Sequence, residues 1–166
     1  MRGLYLISVW LHILAAVVWI GGMTFLVLVL VPWLRSNRTR AAGILTDTGR
    51  RFRTIGWICF GLLLVTGTVN LWARGVRPEN MLSVSFWQSP FAHALALKLT
   101  LFALVLLVSA LHDFWLGPRA SQLMRDAPGS QVAERLRRWA GLLGRSNLLL
   151  ALALVALGVI LVRGWP

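Results

Sequence analysis

Four long apolar runs alternate with arginine-bearing segments, at about residues 4–34, 54–72, 91–115 and 146–162. A helix rises ~1.5 Å per residue and a bilayer core is about 30 Å thick, so about twenty apolar residues suffice to cross it. The pattern predicts an all-α integral membrane four-helix bundle, one transmembrane domain over residues 1–166. Between the third and fourth runs Val132, Leu136, Trp139 and Leu143 repeat at helical spacing opposite arginines. That is the pattern of an interfacial amphipathic helix before the last span, or of a lead-in to that span.

The polar positions inside these runs carry the candidate chemistry. The third run, FAHALALKLTLFALVLLVSALHDFW, holds the chain's one lysine, Lys98, and two of its three histidines, His93 and His112. At 25 residues it would span ~37 Å as a helix. An ammonium at the depth of Lys98 costs at least ~2.5 kcal/mol, so it is expected to face the protein interior or a polar cavity. Snorkelling to the nearer interface is the bland alternative. Lys98, Ser109 and His112 fall close to one helical face, with His93 about 140° from Lys98. Asp113 is expected to pair with an arginine at the membrane rim in preference to orienting a histidine, just before a turn at Gly117 to Ala120.

The first run, Leu4 to Leu34, exceeds the bilayer's need, so it is expected to tilt, bend or project, with Gly21 and Gly22 as the place for a bend or close contact and Pro32 near its end. Its one polar stripe is His12, Ala16, Trp19 and Met23, an imidazole, an indole and a thioether on one face. Trp19 and Met23 are also ordinary packing residues. The second run carries Cys59, Leu63, Thr66 and Asn70 beside Gly56 and Gly67, which suits close helix contact and hydrogen bonding across it. The fourth, with Asn147 and small residues, reads as a packing partner.

Composition narrows the class. At 58% hydrophobic and a mean hydropathy of +0.74, the chain is too apolar for a soluble domain. Its net charge of +12 comes from arginines clustered between apolar runs, where they set membrane orientation, so a nucleic-acid partner is rejected. The polar connection Arg35 to Arg53 and the segment Ser121 to Arg145 are expected on the cytoplasmic side, with both termini periplasmic in a bacterial inner membrane. The segment Ala73 to Pro90 is expected as an interfacial turn or short helix on the outer side, where Met81 offers weak evidence for a soft metal. Trp33, Trp115 and Trp139 would form the inner aromatic belt and Trp72, Trp87 and Trp165 the outer. A lone Cys59 excludes an intramolecular disulfide and a Cys-rich metal site. The first run lacks a clear cleavage site and is kept as a helix.

His12 and Lys98 come out at one depth, in the outer half, with His93 above them. Two ligands suit such a set. Haem b would take His12 and His93 as axial imidazoles and Lys98 or Arg74 near its propionates, though the histidines differ in depth by about 6 Å. Copper would take His12, His93 and Met23 or Met81, with Lys98 repelling a cation unless neutral. On the residues alone the balance leans to haem.

The segments LHILAAVVWIGGMTFL with VPWLR, RRFRTIGWICFGLLLVTGTVNLW and ALKLTLFALVLLVSALHDFWLGPRA together resemble the CopD copper-resistance family. They are also similar to HemJ-type protoporphyrinogen oxidases, from which the chain departs at Pro32 and Trp33. The resemblance implies that His12, Lys98 and His112 match family positions. It further implies copper handling at the inner membrane on the CopD side, or haem b and porphyrinogen oxidation on the HemJ side. A third reading is an accessory subunit of a respiratory membrane complex, with a membrane or periplasmic protein partner, in which the polar groups satisfy one another.

Overall fold

The computed structural model describes residues 2–36, 38–127 and 129–163. The first span is α1 (Arg2–Phe25), a π-helical stretch (Leu26–Leu30) and α2 (Val31–Ser36). The second lies within α3 (Arg38–Ala73), and α4 (Pro78–Met81) and α5 (Val84–Trp87) form the connection that follows. The third is α6 (Pro90–Ala110), a second π stretch (Leu111–Leu116) and α7 (Gly117–Asp126), and the fourth lies within α8 (Gln131–Arg163). Four helices are thus long and apolar enough to cross a membrane. The all-α membrane bundle expected from the pattern is what forms.

Its surface says the same. The chain exposes 11254 Å², against ~8,200 Å² for a soluble protein of its mass. Leu6, Trp10, Ile13 and Val17 all lie outward on α1, an apolar face suited to contact with lipid. One end of the bundle holds residues 2 and 163 and the 74–89 connection, and is called here the terminal end. The other carries the arginine-rich segments and is called the basic end.

Two boundaries differ from expectation, and a third settles between the two expected alternatives. The Arg35 to Arg53 connection is helical from Arg38 onward, because its arginines, alanines and leucine favour helix and no proline interrupts it, which outweighs Gly43 and Gly49. No turn forms at Gly117 to Ala120. The Gly117 N–H bonds the His112 carbonyl five residues back, and this wider turn accommodates Pro118, which lacks an N–H and would crowd the carbonyl four residues before it. Val31 bonds Leu26 in the same way directly before Pro32. A Cβ on Gly117 would sit 2.9 Å from the His112 carbonyl oxygen, so the π turn needs glycine there. Finally, the amphipathic segment over 132–143 is the lead-in of α8, continuous with the last span.

The core lies where the spans pack: Ala15, Trp19 and Met23 from α1, Cys59, Phe60 and Leu63 from α3, Val105 from α6 and Ala151 from α8. Trp19 stands edge-on to Phe60 with ring centroids 4.8 Å apart, and Gly56 faces its indole, where a Cβ would make ordinary contact at 3.6 Å. Gly22 lies against the Phe52 ring, whereas Gly21 faces open space, so the close contact belongs to Gly22 alone. Trp33, Trp115, Trp139, Trp72 and Trp87 are all exposed, as two aromatic belts require. Trp165 lies outside the described residues.

Candidate functional site

The polar residues divide into three groups stacked along the bundle. The first, toward the terminal end, centres on His12. Ser8 and His12 are one turn apart on α1 and straddle Thr66 of α3. Ser8 Oγ donates to the Thr66 carbonyl at 3.2 Å, and His12 Nδ1 lies 2.7 Å from Thr66 Oγ1. The threonine hydroxyl already gives its proton to the Leu62 carbonyl at 2.6 Å. It therefore accepts from the ring, which assigns the proton to Nδ1 and leaves Nε2 with a free lone pair. Gly67 completes the seat, since a Cβ there would touch His12 Cε1 at 3.5 Å.

Lys98 of α6 reaches the same level. Arg74, just past the end of α3, donates to the Leu161 carbonyl of α8 at 3.2 Å, and Lys98 comes to α8 one turn before that carbonyl. Its Nζ lies over Gly158 of α8, 3.6 Å from where a Cβ would stand. All four spans thus contribute: His12 from the first, Thr66 and Gly67 from the second, Lys98 from the third, Gly158 from the fourth.

The second group is mid-bundle. Asn147 Nδ2 donates to Ser109 Oγ at 2.9 Å and approaches Met23 Sδ at 3.8 Å. Asn147 Oδ1 is buried without a partner among the described residues. The third group is at the basic end. His112 Nδ1 lies 2.9 Å from Asp113 Oδ1, Trp57 Nε1 donates to Asp113 Oδ2 at 3.1 Å, and Arg53 donates to the Asp113 backbone carbonyl at 3.0 Å. Among the described residues the rim arginine pair expected for Asp113 does not form, because Arg53 takes the main-chain oxygen while His112 and the Trp57 indole occupy the carboxylate. Asp113 orients His112 instead, again leaving Nε2 free.

The remaining candidates do not converge on His12. Met23 lies eleven residues further along α1, ~16 Å at helical rise, and belongs to the Asn147 group. His93 is exposed in the first turn of α6, and no described contact brings it to His12. Trp19 is core between the first and second groups. Among the described residues no three His, Cys, Asp or Glu side chains gather as a metal cluster. Sequence reasoning missed Ser8, the Thr66 bond to His12, the role of Gly158, and the Trp57 bond to Asp113. For Ser8 and His12 the signal was their i, i+4 spacing in an otherwise apolar helix; for Trp57 there was none.

No solved structure matches the chain. An uncharacterized protein of Aquifex aeolicus (strain VF5) is 35% identical over 150 residues, 90% of this chain and 89% of that protein. The family described as copper resistance protein D matches residues 46–163. That match covers the second to fourth spans, with Thr66, Lys98, His112 and Asn147, and begins after the helix that carries His12. This multi-pass membrane protein belongs to the CopD family.

Proposed function

We propose that the protein handles copper as cargo, with His12 as its ligand, in a bacterial inner membrane whose periplasmic side faces the terminal end. The observation that supports this reading is the hydrogen-bonded His12. A neutral imidazole held at Nδ1, with Nε2 free and half-buried among four spans, is a suitable donor for cuprous or cupric ion. Fit to copper is that of a station on a path, since a tightly held resident ion would need more ligands than the single imidazole here.

Lys98 favours a second reading, haem b. A cation beside an imidazole suits an axial ligand with a counter-charge for a propionate. His12 would hold the iron and Lys98 or Arg74 the propionate, and a bound haem would supply one-electron chemistry.

One preparation separates the two. The detergent-purified protein is analysed for metals and by oxidised and dithionite-reduced absorption spectra, alongside His12→Ala. Copper retained by the wild type and reduced at least tenfold in His12→Ala is the expected outcome. A Soret band lost in His12→Ala would replace copper with haem b. Neither copper nor colour, with stability restored by a co-purifying partner, would replace both with an accessory role.

A further inference from the structure

We propose that Met23, Asn147 and Ser109 form a second copper site midway through the bundle, a station for cuprous ion with the Met23 thioether as its principal ligand. The inference rests on the copper reading and deepens it, since it gives the cargo a place beyond His12. Three spans bring these side chains together: Met23 from α1, Ser109 from α6 and Asn147 from α8. Asn147 Nδ2 donates to Ser109 Oγ at 2.9 Å and meets Met23 Sδ at 3.8 Å, so one amide holds the hydroxyl and the thioether side by side. All three residues are buried, Met23 at 6%, Ser109 at 5% and Asn147 at 7% exposure. Asn147 Oδ1, on the same amide, has no partner among the described residues. A buried acceptor left unpaired costs about 1–3 kcal/mol. A cation seated beside it removes that cost.

The donor set selects the ion. Thioether sulphur is a soft donor that favours cuprous ion, whereas hard cations take oxygen ligands and gain nothing from it. Sulphur carries two lone pairs, and the contact with Nδ2 engages only one. The three side chains are neutral, and a monovalent ion loses less than a divalent one when it leaves water. Position makes this a separate station. His12, Trp19 and Met23 share one face of α1, and Met23 lies ~16 Å beyond His12 at helical rise, too far for one ion to touch both. Past the station the donors continue. His112 follows Ser109 by three residues, one turn nearer the basic end, and its ring is held by Asp113 at 2.9 Å with Nε2 free. Imidazole, thioether and imidazole therefore succeed one another along the bundle.

The test uses the full chain in an uncharged detergent without oxygen, incubated with cuprous ion held at a known free level by bicinchoninate. A station that passes its ion on loses it during purification, so the ion is added. The wild type is expected to bind one equivalent beyond that of His12, with a sulphur neighbour in its copper X-ray absorption spectrum. Met23→Leu, which nearly conserves volume and so keeps the fold, is expected to lose that equivalent and the sulphur signal. Asn147→Leu is expected to weaken it at least tenfold, and His12→Ala to keep it. Cys59 is the other sulphur of the core, and Cys59→Ala is expected to change nothing. An undiminished sulphur signal in Met23→Leu, its loss in Cys59→Ala, or copper on the wild type with no sulphur neighbour would overturn the proposal. The two readings fail separately. Equal copper in the wild type and His12→Ala would overturn His12 as ligand while the sulphur-bound equivalent stands, and loss confined to His12→Ala would overturn the station.

Discussion

Thr66 decides which nitrogen of His12 is available. Its hydroxyl proton is committed to the Leu62 carbonyl, so it meets the ring as an acceptor and the imidazole proton stays on Nδ1. Valine at this position keeps the shape and removes the acceptor. In Thr66→Val the ring is expected to lose its orientation, and copper retention to fall 10- to 100-fold, the usual effect of removing such an outer partner. Metal analysis beside His12→Ala checks this. Copper retention equal to the wild type would show that Nε2 is not the ligand atom. The Asp113 carboxylate holds His112 by the same logic at the other end, with both oxygens engaged. Asp113→Ala leaves both neighbours without an acceptor, so part of the stability it loses is expected to be regained when Trp57→Phe is added. A thermal-unfolding double-mutant cycle measures that coupling, and strictly additive losses would deny the bond.

At the scale of the helices, proline and glycine act together. Pro32 and Pro118 each follow a hydrogen bond that reaches five residues back, which lets both spans continue where an α-helix would kink or stop. The second of these turns also places His112 and Asp113. Gly117 has no room for a Cβ because the obstacle is the His112 backbone oxygen, which cannot swing aside. Gly117→Ala is therefore expected to destabilise the protein by about 1–3 kcal/mol. Gly21→Ala, with open space around it, is expected to be neutral or to stabilise by up to about 1 kcal/mol through helix propensity. Unfolding of both variants in detergent and denaturant tests the contrast, and equal effects would mean that the π turn does not depend on glycine. The sequence made the four spans legible because apolar length is read directly. It did not reveal the π turns. A proline in an apolar run reads as an end, and only the hydrogen-bond register tells a kink from a continuation. The His12 and Lys98 level was legible from helical rise, whereas the partners of His112 were not, since Trp57 comes from another span at no fixed sequence distance.

The whole molecule is polar at three levels and dry between the first two. Trp19, Phe60, Leu63, Val105 and Ala151 are buried in the layer between the His12 group and the Asn147 group, so the terminal-end site communicates with its own side of the membrane. Which side that is we propose from the charge distribution. Twelve of the sixteen arginines lie at the basic end, and positive charge near span ends is retained in the cytoplasm. A phosphatase fused after residue 163 is therefore expected to be active, and a fluorescent protein that matures only in the cytoplasm is expected to stay dark at the same position. The reverse pattern would put His12 on the cytoplasmic side and, on the copper reading, make any copper taken there cargo on its way out. On the copper reading, orientation would set the direction of handling: with the terminal end outside, His12 would meet copper before the apolar layer, which would bar passage unless Trp19 moved. Trp19→Ala removes a buried indole and opens space between the levels. It is expected to cost about 3–5 kcal/mol of stability, and, in cells where the variant still accumulates, to raise copper uptake through the chain. Uptake unchanged at equal protein level would show that the layer is not the barrier.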